Sequence, residues 1–301
     1  MEDILNRMQD VMGECPDESQ KVPLDMIVVH EEKIENLLYS KVTYAVEQDD
    51  RCIAWLIKPD NLHGPAAACL CLHQTTSVAK DEPAGLSGNP HFHYAKELAA
   101  LGYVTLVPDY PNFGEYKIDV YDRGYVSGTM KAIWNHMRSV DLLAECKDVD
   151  PDRIACIGHS LGGHNTLFLA AFEPRIKVAV SSCGFTSWMR NDAEGNGIDG
   201  DLRDWTGPVY MPRIAERYHS RAEQMPFRME ELLSLISPRP LFINAPKRDS
   251  MRYDGVVECL NYLQSYYESC PDKLVSCHPN CEHDFPDDVR EKAYGFIESF
   301  I

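Results

Sequence analysis

The chain has 301 residues, of which 44% are apolar and 10% aromatic, enough for a large core and too apolar for a disordered chain. Its 29 Lys+Arg stand against 47 Asp+Glu, and the resulting charge of −18 repels phosphate backbones and anionic lipid surfaces, which excludes nucleic acid as an expected partner. No stretch approaches the ~18 uninterrupted apolar residues of a membrane span and the charged start lacks a signal-peptide core, so a cytoplasmic protein without membrane contact is expected.

In chain order, Ile4, Leu5, Met8 and Met12 fall at helical spacing. Residues 1–40 therefore read as an N-terminal helical extension, packing on its own domain or serving as a dimer contact between two copies. From residue 41 to 301 the pattern is one catalytic-sized α/β domain. Strand-like runs are "VTYAVEQ" from Val42, "CIAWLIKP" from Cys52, "AAACLCLH" from Ala66, "YVTLVPD" from Tyr103, "RIACIGH" from Arg153, "IKVAVSSC" from Ile176, "PLFINAP" from Pro240 and "LVSCHP" from Leu274. Helix-like segments separate the later ones, including a long stretch from about Tyr125 to Cys146. Such alternation predicts a mostly parallel, doubly wound sheet with an antiparallel start, covered by helices on both faces. The Gly-, Asp- and aromatic-rich segment 184–238 breaks the rhythm and reads as an inserted cap or lid.

The eleven cysteines are scattered, several of them within strand-like runs where a free thiol packs as a small apolar group, which fits a reducing compartment. Neither Cys69/Cys71 nor Cys277/Cys281 has the spacing of a structural zinc site, and no metal is expected.

Chemistry enters at "RIACIGHSLGGHN". A strand-like run breaks at Gly158-His159-Ser160-Leu161-Gly162 and restarts as a helix, the strand-turn-helix context of a nucleophile elbow that leaves Ser160 projecting. A serine hydroxyl needs a base, and the base needs a carboxylate to orient it. Asp249 follows the late strand "PLFINAP", with Asp254 as its rival, and His283 precedes the terminal helix, with His278 as its rival inside a strand. An oxyanion would be held by the N–H of Leu161 and by Gln74 or Thr75 in "LHQTTS", with His73 bracing that loop. His159 flanks the elbow. Tyr110 and Phe113 after the fourth run, and Trp188, Trp205 and Tyr210 in the insertion, are candidate pocket walls, although aromatic residues also serve as core.

"LHQTTSVAKDEPAGL", "ALGYVTLVPDYPNFGE", "RIACIGHSLGGHN", "PRPLFINAPKRDS" and "HDFPDDVREKAYGF" resemble successive blocks of α/β-hydrolases of the dienelactone hydrolase and acetyl xylan esterase-like group, from about Val42 onwards. That resemblance implies an eight-stranded, mostly parallel sheet and a triad of Ser160, Asp249 and His283. Dienelactone hydrolases proper carry a cysteine nucleophile, so serine here points to the esterase branch. The expectation is a carboxylesterase or deacylase for a small-molecule or acylated carbohydrate ester, working through an acyl-enzyme without a cofactor. A prolyl oligopeptidase-type peptidase shares such a domain but needs a large preceding domain, and only about sixty residues precede the third run. A non-catalytic receptor on the same fold is the other alternative.

Overall fold

The computed structural model describes residues 2–301. The chain opens with helix α1 (Glu2–Met12) and an antiparallel meander of β1 (Ile27–Ile34), β2 (Leu37–Glu47) and β3 (Asp50–Pro59). It then alternates through β4 (Ala66–Leu72), α2 (Tyr94–Ala100), β5 (Val104–Pro108), α3 (Gly128–Glu145), β6 (Val149–His159), α4 (Leu161–Phe172) and β7 (Ile176–Ser182). An excursion carrying α5 (Arg213–Tyr218) and α6 (Met229–Ser234) follows, and the chain closes with β8 (Leu241–Asn244), α7 (Tyr253–Leu263), β9 (Leu274–Cys277) and α8 (Asp287–Phe300).

These strands form one nine-stranded sheet in the order β1-β2-β3-β5-β4-β6-β7-β8-β9. Pairing is antiparallel up to β3·β5 and parallel from β5·β4 to β8·β9. The central strands are continuous apolar runs because both faces are covered. On one face α2 and α8 contribute Tyr94, Leu98, Val289 and Ile297 to a core with Cys69, Val107 and Phe242. On the other, α3 and α4 cover the sheet with Val140, Leu143 and Leu169. From β4 the chain runs to β5 on one side and later to β6 on the other, so a topological switch point opens beyond the carboxyl ends of β4 and β6.

The expected eight strands become nine, and residues 27–34, expected within the helical extension, are the ninth. Seven of the eight β1 residues are exposed, so the strand has no apolar alternation to betray it; its ladder with β2 is what holds it. Helix α1 does form, and its apolar side faces its own domain: Met8, Val11 and Met12 are fully buried in the core that includes Ile214 and Leu232. Arg7 clamps the helix to Glu231 with an ion pair of 3.0 Å. The apolar face proposed as a dimer contact is thus covered within one chain. Segment 184–238 is a packed cap of short helices, with Trp188, Met211, Ile214 and Phe227 in that same core. Among the described residues no helix is long and apolar enough to cross a membrane.

Truncating a fully buried α1 side chain therefore has a defined cost. Met12→Ala is expected to lower the unfolding free energy by about 2–5 kcal/mol in urea titration; an unchanged midpoint would show that α1 packs elsewhere.

Candidate active site

The elbow is set by backbone crowding. Ser160 stands between the end of β6 and the start of α4 with φ 55° and ψ −118°, a conformation that L-residues avoid unless the surroundings impose it. Two backbone bonds impose it here: Ser160 N–H donates to the Ser182 carbonyl at 2.8 Å, and His164 N–H donates to the Ser160 carbonyl at 2.8 Å. A Cβ on Gly162 would overlap the Leu72 carbonyl oxygen, and one on Gly158 would overlap the Gly162 carbonyl. Only glycine lets α4 begin against the ends of β4 and β6. The Ser160 hydroxyl makes no capping bond to the helix, which leaves it available at the partly exposed head of α4.

His283 and Asp249 arrive from loops that follow β9 and β8. His283 Nδ1 lies 2.7 Å from Asp249 Oδ1, with the Asp249 side chain buried and the His283 side chain 31% exposed. Burial alone would raise the Asp249 pKa, but the hydrogen bond and charge of His283, the adjacent Cys183 thiol and the Met251 N–H outweigh it and hold the carboxyl below its usual range. An ionised carboxylate fixes the imidazole with Nδ1 protonated and Nε2 free to take a proton. Asp254 instead sits at the start of α7, bonded to Arg252. His278 is satisfied by the Ala245 carbonyl and Ser276, with its ring against Tyr253.

The His283 loop is tied down by partners that sequence reasoning missed. The Asn244 amide donates to Ser182 Oγ and to the Asp284 carbonyl, each at 2.8 Å, and His91 Nδ1 pairs with the Asp284 carboxylate at 2.9 Å. His159 is fully buried, stacked on Phe92 at 4.3 Å between ring centres and 4.8 Å from the His283 ring. Its Nδ1 meets Ser182 Oγ at 2.8 Å, and burial, followed by the nearby His283, pushes its pKa well down, so the ring is neutral. Cys183, also at positive φ, lies beneath Asp249. Only the strand-end positions of Ser182, Cys183 and Asn244, next to or two strands from the elbow strand in the sheet, could have signalled these roles.

The loop after β4 is braced from inside. Tyr110 N–H donates to His73 Nε2 at 2.9 Å, so the proton of this buried neutral ring is on Nδ1, which donates to the Gln74 carbonyl at 2.6 Å. Burial lowers the His73 pKa and keeps the ring in that form. In a trans peptide the Thr75 N–H points opposite to the Gln74 C=O, and so away from His73. Buried Lys80 adds a second brace, joining Asp109 Oδ2 at 3.0 Å and Glu115 at 2.6 Å, while the Gln74 amide donates to Glu82 at 2.7 Å.

Beside Leu161, a small apolar cluster unites Tyr110 and Ala132 with half-buried Phe113, Val209 and Tyr210. Trp205 lies behind it, 4.6 Å from the ring of buried His164 and 5.4 Å from Tyr210. Trp188 lies farther away, in the core against Phe227. Among the described residues one group of metal-ligating side chains is gathered together: His159, Cys183 and His283, with donor atoms within 4.8 Å of one another.

Because the folded Asp249 pKa is depressed, its contribution to stability is present above the unfolded carboxyl value of about 4 and is lost as pH falls through the folded value. The stability gap between wild type and Asp249→Asn is expected to be widest near neutrality and to narrow on acidification, read by urea unfolding at several pH values. A gap that widens with acid would show that the carboxyl is not held ionised.

Comparison with known proteins places this arrangement in context. The protein YtaP of Bacillus subtilis (strain 168) is 24% identical over 241 residues, 76% of this chain and 75% of that protein. The 4-O-methyl-glucuronoyl methylesterase 1 of Wolfiporia cocos is 24% identical over 61% of this chain, which spans only 48% of that enzyme. Among solved structures, the glucuronoyl esterase from Solibacter usitatus superposes with a TM-score of 0.76 at 18% identity, covering 99% of this chain and 91% of that one. Acetyl xylan esterase 1 from Thermoanaerobacterium sp. gives 0.68 at 18% identity, covering 99% and 92%. These likenesses establish an α/β-hydrolase-type fold. The family described as "Glucuronyl esterase, fungi" matches residues 113–270, over half of the chain and the whole stretch from Phe113 through the elbow to the Asp249 loop. With that match the chain belongs to the glucuronyl esterase family of serine carboxylic ester hydrolases.

Proposed function

We propose that the chain hydrolyses esters of carbohydrates through an acyl-enzyme on Ser160. The observation that carries this reading is the strained Ser160 at the head of α4 together with a His283–Asp249 pair whose carboxyl is held ionised. In the first step His283 Nε2 takes the Ser160 proton as Oγ attacks the ester carbonyl. The oxyanion is held by the N–H of Leu161, at the positive end of α4, and by the N–H of Thr75. His283 then protonates the leaving alcohol, and the same ring activates a water that releases the acid. Thr75 is favoured over Gln74 by the grip of His73 on the Gln74 carbonyl.

The half-buried rings of Phe113 and Tyr210 beside Leu161 suit the apolar face of a sugar. The relatives named above supply two ester types to compare: a methyl ester of a glucuronoyl unit and an acetylated xylan. A cytoplasmic setting remains our reading, supported by eleven free thiols.

Ser160→Ala is expected to lower kcat for a short-chain aryl ester by at least about a thousandfold; a loss under about tenfold would remove Ser160 as nucleophile. His73→Ala is expected to lower kcat by up to about 10²–10³ with little change in KM, because it frees the Gln74–Thr75 peptide rather than a binding contact. If KM rises while kcat holds, the loop serves binding alone. On substrates, turnover of a glucuronoyl methyl ester or of acetylated xylo-oligosaccharides above that of simple aryl esters is expected. Turnover of aryl esters only would refute the carbohydrate reading and leave the esterase intact.

A further inference from the structure

We propose that His159, Cys183 and His283 form a binding site for a soft divalent cation of the zinc type, and that a cation seated there silences the His283 base. The three residues come from the end of β6, the end of β7 and the loop before α8, and their donor atoms lie within 4.8 Å of one another. Proximity is not the only sign. His159 has one ring nitrogen anchored on Ser182, while Nε2 is buried with no partner in the protein. A buried imidazole nitrogen left open while its twin is held is costly as a packing feature and is the arrangement in which histidine presents itself to a metal. The Asp249 carboxylate, which already holds His283, lies beside the Cys183 thiol at the same place.

Two imidazoles, a thiol and a neighbouring carboxylate make a nitrogen and sulfur donor set of the kind zinc selects. Tetrahedral coordination at the usual bond lengths requires donors roughly 3.4–3.7 Å apart, so the cluster must contract by about 1 Å. His159 and Cys183 are fixed by burial; the His283 side chain, 31% exposed, is the one with room to turn. On binding, the cation replaces the Cys183 thiol proton, which leaves to solvent, and takes a lone pair of His283. No substrate bond changes and no electron is transferred. The ring so held cannot accept the Ser160 proton. Inhibition rests on the reading of His283 as base; binding itself does not.

The test uses the whole chain and the metal alone. Cobalt(II) added to the wild type is expected to give a thiolate-to-cobalt charge-transfer absorption at one equivalent, absent in Cys183→Ser. Zinc is expected to inhibit ester turnover reversibly with EDTA, at an inhibitory concentration about 10–100-fold higher in Cys183→Ser, each protein being compared with its own metal-free rate. His159→Phe keeps the ring stack on Phe92, removes the nitrogen and is expected to weaken both signals, which covers the case of a poorly folded serine variant. A cobalt band that is missing in the wild type, or that survives in both variants, overturns the proposal. A band lost in the variants without any zinc inhibition keeps the cation site and overturns the silencing of His283; wild-type turnover in metal-free His283→Ala would separately refute His283 as the base.

Discussion

The site depends on one steric constraint: the first turn of α4 lies against the carboxyl ends of β4 and β6 with no room for a side chain. Gly162 touches the Leu72 carbonyl and Gly158 touches Gly162, so the chain can turn from strand to helix only with Ser160 at positive φ. Strain at one residue is held because the sheet on one side and the buried helix α4 on the other admit no relaxed alternative. The same contact brings the loop after β4 beside the head of α4, so nucleophile and candidate oxyanion loop are positioned by a single backbone approach.

Around that contact the polar side chains are arranged so that few of them can choose a different state. His73, neutral by burial and with its tautomer fixed by Tyr110 N–H, locks the Gln74 peptide. Lys80 holds the same loop through Asp109. On the opposite side, Asn244 ties the His283 loop to β7 through Ser182, and Asp249 is kept ionised in a buried place by His283. Each group is low in exposure and has its partner within ordinary hydrogen-bond distance, which is the physical content of preorganisation. Buried atoms without a hydrogen-bond partner remain among them, His159 Nε2 next to the base and Asn244 Oδ1 included.

The cap has a different role from the sheet. Segment 184–238 sends Trp188, Met211 and Phe227 into the core and leaves Val209 and Tyr210 beside Leu161. A segment packed in this way shapes the approach to Ser160 without being free of it. Its aromatic residues divide between core and rim by contacts with α3, α4 and α7, none of which adjoins it in sequence.

Periodicity and spacing alone determined much here. Continuous apolar runs marked the buried strands β4 to β8, because strands covered on both faces tolerate little else. The Gly-His-Ser-Leu-Gly break marked Ser160, since a turn that tight demands glycine on both sides of it. Chain order and the family resemblance brought forward Asp249 and His283, and the tertiary structure sets Asp249 apart from Asp254, five residues away, by putting one against His283 and the other against Arg252. Strand β1 escaped because an exposed edge has hydrogen bonds but no apolar alternation. Cys183, Ser182, Asn244 and the brace of His73 on Tyr110 escaped for a related reason: each acts across the sheet on a residue at least twenty positions away. A local pattern records which face a residue buries; which neighbour it meets there is decided by strand order, and that is a property of the folded chain.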